Sequence, residues 1–385
     1  MNRNVVPLRS KFPNMGVNIF TAMNQVAAEF SAINLAQGFP NFDCPQRLQE
    51  LLCEAVRGQK NQYAPMPGLP ELRRAISEKI KFLHGHGYDP DLEVTVTPGG
   101  HAALMSAATA VLHPGDEVII FDPSFDCFAP IVKLSGAVPV FVKLTFPDYS
   151  IDWNVVRQKI TPRTRLIWLN SPHNPTGATL SADDLSTLAD IVRDTSILIL
   201  SDEVYEHIIF DDRQHQSICR HPELRERAFA IFSFGKVYHA TGWKVGYCVA
   251  PRPLMQEFRA VYQMIQFTVN HPAQWALAQF LSDRSHYLEL PAFYQKKRDF
   301  FLAQLASSAF EFTPAQGSYF QCLRYKKRAG EKEMEAARRI ARDAKVASIP
   351  ISAFYSDGTD HGVLRFCFAK TEDVLEQAAK ALCSI

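Results

Sequence analysis

Three segments of this 385-residue chain hold side chains able to do chemistry together. Ser171-Pro-His-Asn-Pro-Thr-Gly177 carries Asn174, and Ser201-Asp-Glu-Val-Tyr205 carries Asp202 and Tyr205. The third, Ser233-Phe-Gly-Lys-Val-Tyr-His-Ala-Thr-Gly-Trp-Lys-Val-Gly246, carries Lys236 and Lys244. Lys236 sits among apolar, hydroxyl and glycine residues, a setting that lowers the pKa of an ammonium group and makes an amine nucleophile available. Taken singly, a surface lysine, an aspartate capping a helix and an Asn-Pro turn account for the three residues as well. The chemistry depends on the fold bringing them to one place.

The surrounding elements do so on paper. Each segment follows a predicted strand, and in an open α/β sheet the loops after the carboxyl ends of strands line the ligand crevice. The spacings from Asn174 to Asp202 to Lys236, 28 and then 34 residues, match intervening βα units. Strand-like runs are predicted at 94–97, 117–121, 138–144, 165–169, 197–201, 228–232 and 245–249. Helical patterns are predicted at 69–83, 99–112 and 180–193. This alternation implies a mostly parallel sheet covered on both faces, an α/β large domain over 45–285. The last hundred residues change to long helical patterns (287–306, 331–344, 372–383) with a few short strands, a smaller α+β domain. Residues 1–44 show no strong periodicity and are expected to pack onto that domain, since nothing there forms a core alone. No repeat or Gly/Ser linker separates the two parts.

Composition narrows the function classes. With 41 basic and 40 acidic residues the net charge is +1, and the cations are scattered, which argues against a nucleic-acid or polybasic membrane surface. The eight cysteines contain no C-x-x-C and read as buried thiols, and no metal site is expected. The first eleven residues carry Arg3, Arg9 and Lys11 without an apolar core, so no signal peptide is read and the cytoplasm is the expected compartment. Val94 to Gly115 lacks Asp, Glu, Lys and Arg but holds Pro98, His101 and His113, so it is not a membrane span. G-x-G-x-x-G, the P-loop, G-x-S-x-G and H-E-x-x-H are all absent. His84 and His86, in the turn-like H-G-H-G, read as an exposed loop.

Over nearly its whole length the sequence resembles the class I, fold-type-I pyridoxal-phosphate (PLP) aminotransferases. The string S-F-G-K-x-x-x-x-T-G-W-K-V-G, with Asn34-Leu-Ala-Gln-Gly-Phe-Pro40 upstream, is most similar to the branch containing kynurenine aminotransferases, glutamine transaminase K and bacterial methionine aminotransferases. The resemblance implies the PLP-transferase fold, a mostly parallel seven-stranded sheet between helices with a smaller α+β domain. It also implies transfer of an amino group to a 2-oxo acid in a ping-pong cycle, with PLP as cofactor and a homodimer as the working unit.

Residue roles follow from the same resemblance. Lys236 would form the Schiff base with PLP and, once displaced, move the proton from the substrate Cα. Asp202 would pair with the pyridine nitrogen, and Tyr205 and Asn174 would bond the 3′ oxygen. Gly99, Gly100 and His101 open a predicted helix whose N–H groups suit a phosphate. Ser233 and Lys244 would add side-chain contacts there, and Tyr63 would reach in from the partner subunit. Lys244 stands where many relatives have arginine, and His101 where they often have an aromatic residue or threonine. Phe125 would stack on the ring. Arg365, alone among apolar residues on a predicted strand, calls for an anion, which the resemblance makes the substrate α-carboxylate, with Gly38 giving a backbone N–H.

The expected substrate side chain is large and uncharged: methionine first, then glutamine, kynurenine or aromatic amino acids. In aspartate-type relatives a second arginine, some thirty-odd residues after the lysine, neutralises the distal carboxylate. Here Gln263 to Gln274 contains no Lys or Arg, while Ile19, Phe20, Phe39, Phe267 and Val269 are available to wall a pocket. Elimination from cysteine S-conjugates, which needs the same carbanion, is the second enzymatic reading. A PLP-sensing regulatory domain is a remote third, since such regulators carry a winged helix before the domain.

Overall fold

The computed structural model describes residues 9–13 and 16–385; Arg3 and most of the segment read as lacking a signal peptide lie outside them. Its strands in chain order are β1 (Ile33–Asn34), β2 (Val94–Thr97), β3 (Glu117–Asp122), β4 (Val138–Lys143), β5 (Thr164–Asn170), β6 (Leu198–Asp202), β7 (Ala228–Ser233), β8 (Gly246–Val249), β9 (Phe320–Arg324), β10 (Val346–Ala347), β11 (Ile349–Pro350) and β12 (Val363–Cys367). Strands β2 to β8 form one seven-stranded sheet in the order β2-β8-β7-β6-β5-β3-β4. Its neighbours pair parallel except around β8, which runs antiparallel to both β7 and β2. β2, β3 and β8 are buried from end to end, as strands covered on both faces must be. The helix Gly100–Val111 lies against β6, β7 and β8 and brings its N-terminus to the carboxyl ends of β6 and β7.

The smaller part is built around an antiparallel sheet in the order β11-β12-β9. Helices Leu290–Gln304 and Glu372–Leu382 pack on each other, and Glu333–Asp343 covers β10 and β11. β1 pairs parallel with β10, Ile33 opposite Val346, which ties the early chain to the late chain as expected.

Four expectations need correction. The segment read as lacking strong periodicity holds a helix, Ile19–Glu29, capped by the Asn18 side chain accepting from Phe20 N–H, with Met23, Val26 and Ala27 buried. Its apolar stripe is narrow and rich in alanine, so periodicity was faint. The helix expected over 287–306 is two, Ser285–Leu288 and Leu290–Gln304, the second opening with Pro291 in its first turn. His84 is no exposed loop residue. It closes the helix Pro70–His84 at a left-handed Gly85, with both ring nitrogens shut from solvent, and burial lowers its pKa to about 3. All eight cysteines are free, but Cys53 is exposed on the outer face of Gln46–Arg57. Among the described residues no helix is long and apolar enough to cross a membrane, and no cluster of potential metal ligands occurs.

Candidate active site

The parallel sheet ends in a row of functional residues because each strand delivers its last side chain at the same edge. Asn170 at the end of β5 is in register with Asp202 at the end of β6, and Ser233 at the end of β7 is in register with Gly246. The loops after these strands, with Gly99 after β2, enclose a cleft of about 300 Å³. Gly38, Gly99, Gly100, His101, Phe125, Asn174, Asp202, Tyr205, Ser233, Lys236, Lys244 and Arg365 all line it. Tyr63 alone among the expected site residues does not; it lies on the outer surface, 79% exposed, its ring edge-on to Phe267 at 5.2 Å.

Lys236 projects from the single helical turn Phe234–Val237 that follows β7. Its Nζ donates to Tyr319 Oη at 3.0 Å and to the Gly38 carbonyl at 3.3 Å. Burial lowers its pKa to about 8; the Arg365 charge works in the same direction and the Asp202 charge opposes it. Asp202 is buried and accepts one hydrogen bond, from Val204 N–H at 3.3 Å, and burial raises its pKa to about 7. A buried carboxylate so thinly supported is suited to a charged donor arriving with a ligand.

Arg365 is completely buried at the centre of β12. Its Nη1 donates to Asn174 Oδ1 at 2.7 Å and its Nη2 to the Ala36 carbonyl at 2.9 Å, while Nε has no partner. The guanidinium stacks 3.9 Å from the centre of the Phe320 ring. Its protein partners are neutral, so the arginine is not part of a structural ion pair, and its charge opens onto the cleft that holds the Lys236 amine.

The other end of the cleft is shaped for an anion. Gly99, at φ +82°, opens the twelve-residue helix Gly100–Val111. A Cβ on Gly99 would stand 3.2 Å from Lys244 Nζ, so the ammonium lies directly over this N-terminus. Lys244 itself is held at φ +53°, where β8 begins. Partial desolvation at the cleft rim and then the Lys244 charge lower the pKa of His101, which favours the neutral ring. Phe125 is half-buried at the wall, 6.3 Å from Phe20 and 5.9 Å from Phe128. Tyr205 is buried, with its ring edge-on to Tyr319 at 5.1 Å. An anion cradle, an under-supported carboxylate, an aromatic wall and a buried amine together fit pyridoxal phosphate.

Several residues here have no sequence signal of their own. Tyr319 and Phe320, in Gly317-Ser-Tyr-Phe320, read as two core aromatics. Only the β9 and β12 pairing, with Cys322 opposite Arg365 and Phe320 opposite Cys367, sets them against the arginine. Asn170 holds the loop by accepting from Asn174 N–H at 2.9 Å and donating to the Asp202 carbonyl at 3.0 Å. Of the proposed pocket walls, Phe20 and Phe39 line the cleft, whereas Ile19, Phe267 and Val269 do not.

A family model described as aminotransferase class I and II matches residues 31–382. The chain is 45% identical to methionine aminotransferase of Escherichia coli K12 over 383 residues, 99% of each chain. It is 33% identical to kynurenine–oxoglutarate transaminase 1 of Homo sapiens over 388 residues, covering 91% of this chain and 92% of that one. Among solved structures, an Escherichia coli protein identified with a methionine aminotransferase function superposes with a TM-score of 0.97 at 45% identity, covering 99% of this chain and 100% of that one. Thermus thermophilus aspartate aminotransferase with maleate superposes with a TM-score of 0.89 at 29% identity, again covering 99% and 100%.

Proposed function

Since the chain belongs to the class I and II aminotransferases, which depend on pyridoxal phosphate, we propose that it moves the amino group of methionine, and of other large uncharged L-amino acids such as glutamine, kynurenine or aromatic ones, to a 2-oxo acid. The observation that carries this reading is Arg365: a buried guanidinium with neutral partners and a free Nε, beside the Lys236 amine.

Pyridoxal phosphate supplies an aldehyde that condenses with amines and a ring that withdraws electrons from the carbon attached to the nitrogen. Lys236 would bind it and, once displaced by substrate, would as a neutral amine carry the proton from the substrate Cα to the cofactor C4′, with the reverse transfer in the other half of the cycle. Asp202 would keep the ring nitrogen protonated, and Asn174 and Tyr205 would hold the 3′ oxygen. The N–H groups after Gly99, with Gly100, His101, Ser233 and Lys244, would receive the phosphate, and Phe125 would pack on the ring. Arg365 and the Gly38 N–H bind the α-carboxylate, which donor and acceptor share, so one site serves both in turn by a ping-pong mechanism. A distal carboxylate has no cation in 263–274 to meet it, and burying that charge unpaired costs several kcal/mol.

The working unit in this reading is a homodimer, with Tyr63 completing the phosphate site of the partner. The division into a large domain over 45–285 and a small one from 1–44 with 286–385 is supported by the separate sheets and by the β1–β10 pairing. Eight free thiols support a reducing compartment, the cytoplasm. Steady-state kcat/KM for methionine and aspartate against one fixed 2-oxo acid tests the substrate class. Methionine is expected to lead by at least about tenfold; aspartate equal to or better than methionine overturns the reading.

A further inference from the structure

Resting on the reading of Lys236 as the amine that moves the substrate proton, we propose that Tyr319 is its positioning residue, holding the free amine so that the nitrogen lone pair is directed away from the Gly38 loop. The argument is one of donors and acceptors. Tyr319 Oη donates its single proton to the Gly38 carbonyl at 2.6 Å, so towards Lys236 Nζ, 3.0 Å away, the same oxygen is an acceptor. The Gly38 carbonyl is the second acceptor for Nζ, at 3.3 Å. A neutral primary amine has two N–H bonds and one lone pair. Both N–H bonds point to Tyr319 and Gly38, so the lone pair occupies the opposite side. With the phenol oxygen removed, one long hydrogen bond remains and the amine is free to turn about its last carbon.

The phenol has little freedom of its own. Gln316 and Gly317 N–H both donate to the Gly177 carbonyl, at 3.0 and 2.9 Å, and Ser318 N–H donates to the Ile208 carbonyl at 2.8 Å. Gly317 passes so close that a Cβ would stand 2.7 Å from Pro172 Cβ and 2.9 Å from the Ile208 carbonyl. The Tyr319 carbonyl accepts from Phe368 N–H at 3.0 Å, and its ring is wedged between Tyr205 and Tyr294, at 5.1 and 5.9 Å between centres. Phenylalanine would fill this volume without burying a hydroxyl, a group that is costly to hide unless it is bonded. The hydroxyls of the core tyrosines Tyr238 and Tyr294 have no protein partner, whereas that of Tyr319 bonds the Gly38 carbonyl and Lys236 and has the Tyr205 hydroxyl beside it.

Tyr319→Phe tests this by two readouts. With the loaded enzyme, kcat for methionine should fall about tenfold with KM within about twofold, the worth of one hydrogen bond in the proton-transfer step, and the isotope effect from α-deuterated methionine should rise. With cofactor-free full-length protein, uptake of pyridoxal phosphate, which needs attack by the Lys236 amine, should slow by a similar factor. Affinity for pyridoxamine phosphate, which needs no such attack, should be unchanged. Unaltered kcat and uptake rate overturn the proposal. So does a loss of pyridoxamine phosphate affinity as large as the loss in uptake, since that would mark a general distortion of the cleft. Full turnover in Lys236→Ala would instead overturn the underlying reading of Lys236.

Discussion

Lys236 and Asp202 are pushed towards neutrality from opposite sides, the amine down to about 8 and the carboxyl up to about 7, and in both cases burial is the largest cause. In the proposed role the Lys236 amine must first attack and then accept a proton, and one that is partly neutral near physiological pH serves both. The same shift has a cost in stability. The unfolded lysine titrates near 10.5 and the folded one near 8, so between these values the unfolded chain binds the extra proton and stability rises with pH. Below about 8 both states are protonated and the burial penalty is present in full. Lys236→Met keeps the bulk and removes the charge, so it should stabilise the cofactor-free protein at about pH 7 by up to about 2 kcal/mol, a figure reduced because the side chain opens onto the cleft. The gain should fade as pH approaches 10.5, and thermal unfolding at the two pH values would show it; a gain independent of pH would contradict the assignment.

At the level of elements, the antiparallel strand β8 brings Lys244 to the anion end of the cleft, and Gly246 is what lets it lie there. A Cβ on Gly246 would stand 2.6 Å from the Phe232 carbonyl and 3.0 and 3.1 Å from the backbone of Gly99 and Gly100. These are main-chain atoms that cannot turn aside, so Gly246→Ala must push β8 and the start of Gly100–Val111 apart. Overpacking of this kind costs about 1–3 kcal/mol. The variant should melt earlier and lose pyridoxal phosphate affinity at the same time, because the displaced backbone is the proposed phosphate cradle itself. Equilibrium dialysis alongside thermal unfolding would reveal whether the two losses go together. The strands around this cradle were legible because buried strands are short apolar runs between turn residues. The direction of β8 was not, since a strand's residues do not record which way it runs.

Across the whole molecule, one outer face stands apart. Tyr63, Met264, Ile265 and Phe267 are exposed, at 79%, 78%, 42% and 47%, and they are locked into one surface. His271 bonds the Gln62 carbonyl at 2.9 Å, and Thr268 Oγ1 donates to the Ala64 carbonyl at 2.9 Å, so the two segments move together. Apolar residues set side by side on an outer surface mark a contact with another chain, and the proposed partner is a second copy. Phe267→Glu should shift sedimentation towards monomer and weaken retention of pyridoxal phosphate, because each cradle would lose the Tyr63 of its neighbour. A variant that remains dimeric and keeps its cofactor would place the contact elsewhere. The patch also explains why Phe267 does not line this chain's own cleft although its sequence position suggested a pocket wall.

The sequence by itself determined the class of architecture and the charged and polar residues at the heart of the cleft. Asn174, Asp202 and Lys236 each follow a strand, and parallel strands end on the same edge, so local pattern sufficed to bring them together. The buried arginine was legible too, since a lone charge on an apolar strand demands an anion. Tertiary structure alone decided what touches that arginine and that lysine. Phe320 under Arg365 and Tyr319 against Lys236 depend on the register of β9 with β12 and on loops from Gly177 and Ile208, contacts between residues about 40 to 140 positions apart. An aromatic residue bound for a core and one bound for an active site have the same local pattern, and only the packing of one part against the other tells them apart.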